Sequence, residues 1–287
     1  MPTLSGNVFQ DLTIYVNHKY GWKEAFRKVA RAFPNKKVIL TEGDSWFAYP
    51  STFNRPNGNV ISWLERQLEN GIQKHIFLRL ESNGDEAMEM LQGTSRSRLL
   101  EVIDYKPVKE RLNLILFSGG GNDIVGKGDM NRFLDIHNND PITKYINVGN
   151  YLKMLESINA AYSSLIRIRN ENIRNIPIIT HTYSYLIPSD IGFNFPPIYK
   201  GKAWMKPYMD FAGIRNSEDQ IRIAKYFIDE FHSVLTGLAQ RNKDFHLLDN
   251  RSKLPNRNQW INEIHPTSKN FKIIADSFLD KMNNLGI

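Results

Sequence analysis

Five short apolar runs, each bounded by polar or glycine-containing turns, alternate along this chain with segments of helical period. They are Lys37–Thr41, His75–Leu80, Leu112–Phe117, Ile176–Thr180 and Phe245–Leu248. Runs this apolar suit strands buried on both faces, and strands alternating with helices build a parallel sheet covered by helices. The helical segments are about 21–32, 60–69, 86–91, 98–103, 130–134, 151–169, 218–240 and 267–282. In the second of these Val60, Ile61, Leu64 and Leu68 share a face, and Asn70-Gly71 reads as a C-cap. The fold class expected is α/β. Residues 1–36 read as an N-terminal extension whose helix packs on the main domain, 37–287. With 287 residues, 41% hydrophobic and 23% charged, one large core is attainable.

The chain has no cysteine, so a covalent nucleophile has to be an oxygen or an amine, and thiolate metal sites are excluded. Acidic and histidine residues show no ligand spacing such as H-E-x-x-H, so no metal and no cofactor are expected. The net charge of +7 allows peripheral contact with an anionic membrane. Basic residues are nevertheless interleaved with acids, and the densest cluster, Arg167, Arg169 and Arg174, reads as a solvated helix end, so no nucleic-acid partner is expected. Met1–Asn17 is mostly polar, without the basic start and apolar run of a signal peptide, and no stretch approaches the roughly 18 apolar residues of a membrane span. The expected location is cytoplasmic, or outside the cell by a route that needs no visible N-terminal signal.

Chemistry gathers where the first three runs end. The first leads into Glu42-Gly43-Asp44-Ser45-Trp46, the second into Ser82-Asn83-Gly84-Asp85, and the third into Ser118-Gly119-Gly120-Gly121-Asn122-Asp123. In an open parallel sheet ligands bind outside the carboxyl ends of the strands, so all three turns share one edge. Ser45 would present an exposed hydroxyl there, with Gly43 allowing the tight turn. Gly84 and Asn122 would add donors to the Ser45 N–H around one developing oxyanion. The glycine run lacks both G-x-x-x-x-G-K-[ST] and G-x-G-x-x-G spacing, which makes phosphate binding the weaker reading. Of seven histidines, His265 lies after the last strand and just before the last helix, where Pro266 fixes the approach of the chain.

Together Gly43-Asp44-Ser45, Gly84, Gly120-Gly121-Asn122 and the block ending in His265-Pro266 resemble the SGNH, or GDSL, hydrolase family, over roughly residues 37–280. The Gly-Asp-Ser-Trp-Phe, Gly-Gly-Gly-Asn-Asp and Asn-Glu-aliphatic-His-Pro blocks are similar to a bacterial subset of it. The resemblance implies a three-layer flavodoxin-like sandwich with a five-stranded parallel sheet of order 2-1-3-4-5. It also implies metal-free ester hydrolysis through an acyl-serine, with Ser45 as nucleophile and His265 as base. The oxyanion hole would consist of the Ser45 and Gly84 N–H groups and the Asn122 side chain. One position departs from the family pattern: Asn262 stands where an Asp usually lies three residues before the histidine. An amide oxygen can accept from histidine Nδ1–H but cannot offset an imidazolium charge. Glu263 or Asp249 could substitute, or the site could work as a Ser-His dyad.

Residues 186–215 form a connection longer than is usual inside a domain, and it carries Phe193, Phe195, Tyr199, Trp204, Tyr208 and Phe211. It is either a surface loop packing its own aromatics or a substrate-facing flap. Trp46, Tyr183, Phe195 and Trp204 are the candidate substrate contacts. The expected ligand is a small-molecule or lipid-like ester. A binding protein on the same fold that has lost catalysis is the competing class, motivated by Asn262.

Overall fold

The computed structural model describes residues 11–17, 21–50, 58–126, 130–195 and 199–287, with backbone alone at 194, 195, 199 and 200. The five apolar runs become strands of one parallel sheet: β2 (Val38–Gly43), β3 (Ile76–Arg79), β4 (Leu112–Ser118), β5 (Ile178–His181) and β6 (Phe245–Leu248). Every residue of β2, β3 and β5 is buried, which is why these runs show no polar alternation. A three-residue strand that the sequence pattern did not reveal, β1 (Thr13–Tyr15), pairs in parallel with β3. The sheet order is β1-β3-β2-β4-β5-β6. Its last five members are in the order implied by the family resemblance; the sixth strand comes from the expected N-terminal extension, which therefore joins the sheet as well as packing on it. That packing is made by α1 (Trp22–Ala32), whose Trp22, Phe26 and Ala30 are buried.

Helices flank the sheet. The longest are α2 (Val148–Asn172), α3 (Ser217–Arg241) and α4 (Ser268–Asn284), which start at or near the expected positions and run slightly longer. The segment 60–69 differs from expectation. Its helix stops at Leu64, and Leu68–Glu69 pairs antiparallel with Ile72–Gln73 across Asn70-Gly71. Both turn residues have positive φ, 54° and 76°, the pairing that a two-residue hairpin turn requires, so Asn-Gly acts here as a hairpin turn and not as a helix cap. Among the described residues no helix is long and apolar enough to cross a membrane.

β3 lies on one side of β2 and β4 on the other, so successive connections leave β2 in opposite directions. A crevice opens at such a switch point, outside the carboxyl ends of the strands. Gly43 is needed there for a reason other than turn geometry: a Cβ on it would stand 2.8 Å from the Ser118 carbonyl oxygen and 2.9 Å from the Ser118 Cβ. Close approach of β2 to β4, and not a left-handed φ, excludes a side chain.

Candidate active site

At the end of β2, Asp44 caps the single turn Ser45–Ala48: its Oδ1 accepts from the Trp46 N–H at 3.0 Å, and its own N–H donates to the Ser118 carbonyl at 2.9 Å. Ser45 is thus the first residue of a short helix pinned to the neighbouring strand, with its hydroxyl on the crevice. On the other wall, Ile261 N–H donates to the His265 carbonyl at 2.8 Å and Trp260 bridges Pro266, closing a tight loop around Asn262. This loop carries His265 across 220 residues of sequence to Ser45, with Nε2 2.7 Å from the Ser45 Oγ.

The tautomer follows from Asn262. Its Oδ1 lies 3.0 Å from the Ile264 N–H and 2.8 Å from the His265 N–H, and backbone N–H groups only donate. These two bonds fix the orientation of the amide, with oxygen inward. The same oxygen is 3.1 Å from His265 Nδ1, so Nδ1 bears the proton and Nε2 turns its lone pair to the Ser45 hydroxyl. Burial lowers the His265 pKa from 6.5 to about 3, keeping the ring neutral. Tyr49 packs on the ring with centroids 4.3 Å apart, and Trp204 meets it edge-on at 5.7 Å. The arrangement can take a proton from Ser45, and its third member is uncharged.

Glu263 and Asp249, the carboxylate alternatives, are engaged elsewhere. Glu263 accepts from the backbone N–H groups of Ser189, Trp204, Met205 and Lys206, four donors on the 186–215 loop. Those bonds work against the rise that burial imposes on its pKa. Asp249 is paired with Arg251 at 2.8 and 2.9 Å, which holds its carboxyl down to about 2. Neither carboxylate bonds His265.

Gly84 sits in an exposed turn after β3 with φ +88°, a conformation that disfavours any side chain. Asn122 follows β4 and donates one Nδ2 hydrogen to the Asp85 carbonyl at 2.9 Å, which ties the turns after β3 and β4 together and leaves its second hydrogen for a ligand. Trp46 and Tyr183 line the narrow crevice with Ser45 and Asn122, but both are buried and their polar atoms are used internally. The Trp46 indole N–H donates to the Ile264 carbonyl at 3.0 Å, and the Tyr183 hydroxyl donates to Asp44. They hold the floor of the crevice more than they touch what enters it. The Phe195 side chain lies outside the described residues.

A buried network under Ser45 escaped the sequence reading. Asp44 Oδ1 accepts from the Ser118 hydroxyl at 3.0 Å, and Ser118 Oγ is 2.9 Å from His181 Nε2. Burial pushes Asp44 up to about 6 and His181 down to about 4. The signal available was the polar tail His181-Thr182-Tyr183 after an apolar run: alternation along an extended segment puts residues 181 and 183 on one side, facing the Asp44 turn.

Two solved structures share this architecture: a lipase from a goat rumen metagenome (13% identity, TM-score 0.54, 85% of this chain and 97% of that one) and an extracellular lipase from Streptomyces rimosus (13% identity, TM-score 0.50, 85% and 99%). The fold is theirs. No protein-family model and no curated protein matches the sequence at a significant level. Among the described residues, no group of three or more His, Asp or Glu side chains is arranged to hold a metal ion.

Proposed function

We propose that this chain is a serine ester hydrolase of the SGNH type, and the observation that carries the reading is the 2.7 Å contact from Ser45 Oγ to the unprotonated Nε2 of His265. Ser45 Oγ attacks the ester carbonyl as His265 takes its proton. The tetrahedral oxyanion is met by the Ser45 and Gly84 N–H groups and the free Asn122 hydrogen. Collapse returns the proton to the departing alcohol, and water repeats the sequence on the acyl-serine. With no carboxylate in the triad, the oxyanion itself is the nearest negative charge to the imidazolium, so the pair is stabilised mainly once attack has occurred.

The cavity beside Ser45, walled by Ile124, Val125, Leu186 and Ile228, measures about 20 Å³, close to the room one water needs. An acetyl-sized acyl group suits that space, and a longer chain requires its walls, which Leu186 joins from the start of the 186–215 loop, to shift. A fluorophosphonate probe tests the proposal directly: it should label the wild-type protein covalently and leave Ser45→Ala unlabelled. If the folded wild-type protein resists the probe, the uncharged triad marks a binding protein and not an enzyme.

A further inference from the structure

Ser45 and Asn122 stand on different turns, one after β2 and the other after β4, and the hydrolysis proposed above requires their donors to converge on one oxygen. The ladder that joins β2 to β4 ends at the pair Gly43 and Ser118. Beyond it the chain passes through Gly119, Gly120 and Gly121 before it reaches Asn122. Successive glycines are the least restrained backbone a chain can offer, so the restraint that sets Asn122 at its distance from Ser45 has to come from outside the run.

Two tyrosine hydroxyls reach into it. Tyr162 donates to the Gly119 carbonyl at 2.8 Å and lies 3.1 Å from the Thr180 hydroxyl of β5, which fastens the start of the run to the sheet. Tyr183 acts across the crevice instead. Its hydroxyl oxygen is 3.1 Å from the Gly121 nitrogen, and because that N–H can only donate, the hydroxyl's own hydrogen goes to Asp44. One oxygen atom therefore stands between the residue before Ser45 and the residue before Asn122. The approach is close: a Cβ on Gly121 would lie 2.9 Å from Tyr183 Cζ and 3.0 Å from Asp44 Oδ2. The buried ring is held independently of its hydroxyl, stacked on Phe231 with centroids 5.7 Å apart and met edge-on by Trp46 at 5.0 Å.

The two ends of this brace are unequally supported. Asp44 keeps its bonds to the Trp46 N–H and the Ser118 hydroxyl, both at 3.0 Å, and to the Ser118 carbonyl, whether or not the tyrosine hydroxyl is present. Gly121 lies past the ladder, at the first position of the short helix Gly121–Val125, where an N–H has no acceptor within the helix. Loss of the hydroxyl would free the Asn122 side and leave the Ser45 side in place. We propose that Tyr183 is a positioning residue for the oxyanion hole: its hydroxyl, bonded to Asp44 and Gly121, sets the Asn122 amide within reach of the oxygen that becomes negative when Ser45 attacks. The proposal rests on the ester-hydrolase reading. Such a donor works over a narrow range, about 2.7–3.1 Å from the oxyanion, and a displacement of about 1 Å costs on the order of 10²-fold in rate.

Tyr183→Phe keeps the ring and removes the brace. With 4-nitrophenyl acetate it should lower kcat about tenfold or more and change KM by less than about twofold, since the amide is needed in the transition state and little in the ground state. A double-variant cycle with Asn122→Ala separates positioning from loosened structure. With the amide gone Tyr183 has nothing to place, so Tyr183→Phe in that background should cost less than about twofold. The same loss in both backgrounds overturns the proposal, and so does full activity of Tyr183→Phe. Gly121→Ala breaks the brace from its other end, with the same pattern expected, and serves if Tyr183→Phe does not fold. Wild-type and Ser45→Ala proteins are assayed alongside. Turnover that is absent or independent of Ser45 removes the ester-hydrolase reading and this proposal with it, whereas Ser45-dependent turnover with an additive cycle removes the brace alone.

Discussion

The two walls of the crevice are held by different means. On the Ser45 side, the turn continues a fully buried strand, is bonded to β4 through Asp44 and Ser118, and rests on Tyr183 and His181. On the loop side, much of the fastening converges on one carboxylate, Glu263, which gathers four backbone N–H groups from two stretches of residues 186–215. Many weak, distributed restraints keep the first wall in one geometry. Glu263 joins the second wall to both stretches of the loop, alongside the bond from its own N–H to the Ile191 carbonyl, so one substitution there bears on both.

The largest effect expected is where the two walls meet, at Ser45 and His265. Ser45→Ala and His265→Ala should each lower hydrolysis of a nitrophenyl ester by roughly 10⁴-fold or more with the circular dichroism spectrum unchanged, and the double variant should be no worse than either single one. Strictly additive losses would show that the two do not act as a unit. Asn122→Ala comes next, with kcat lower by about 10²- to 10³-fold and KM little changed; a pure KM effect would make Asn122 a substrate-binding group.

Asn262 sharpens the contrast, since it shares a turn with the loop anchor. Asn262→Ala should reduce kcat on the order of 10²-fold by releasing the imidazole, more than Glu263→Gln or Asp249→Asn reduces it on an acetyl ester. If either carboxylate change proves more damaging there, the third member has been misassigned. Glu263→Gln should instead alter acyl-length preference. Asn262→Asp should keep or raise kcat, and because a carboxylate favours the imidazolium, the acid limb of kcat/KM should move to higher pH. The familiar penalty for an amide in this position comes from an imidazole held in the wrong tautomer. Here two backbone N–H groups turn the amide oxygen inward and remove that cause.

The smallest effect concerns the buried network. His181 is depressed in the folded state, so between its unfolded value near 6.5 and about 4 the unfolded chain binds a proton that the native one does not. Its contribution to stability is present at neutral pH and is lost as pH falls, by up to about 1.4 kcal/mol per unit. The gap in melting temperature between wild type and His181→Gln should therefore narrow from pH 7.5 to 4.5; a constant gap would mean that the imidazole is not buried neutral.

What could be read from the sequence follows from range. The five apolar runs announce themselves because the apolar character of four to six consecutive residues is a local property. β1 is three residues long with one buried position, too short to stand out. Asn70-Gly71 satisfies two local rules at once, and only the pairing of Leu68–Glu69 with Ile72–Gln73 decides between them. Ser45 and His265 were legible through strand-end position and family likeness together. The role of Glu263 was not, since its partners are backbone N–H groups, which every residue but proline carries and no side chain advertises. Asn262 looked like a weakness in the sequence because the two donors that orient it belong to the main chain.

Asn262, Glu263 and His265 fall within one four-residue stretch, with Ile264 between them receiving the Trp46 indole proton. The peptide that fastens the loop is therefore also the peptide that orients the imidazole, so a change in how the loop is held reaches His265 through the main chain. This means that loop variants should shift turnover and apparent affinity together, along one line, instead of trading one for the other.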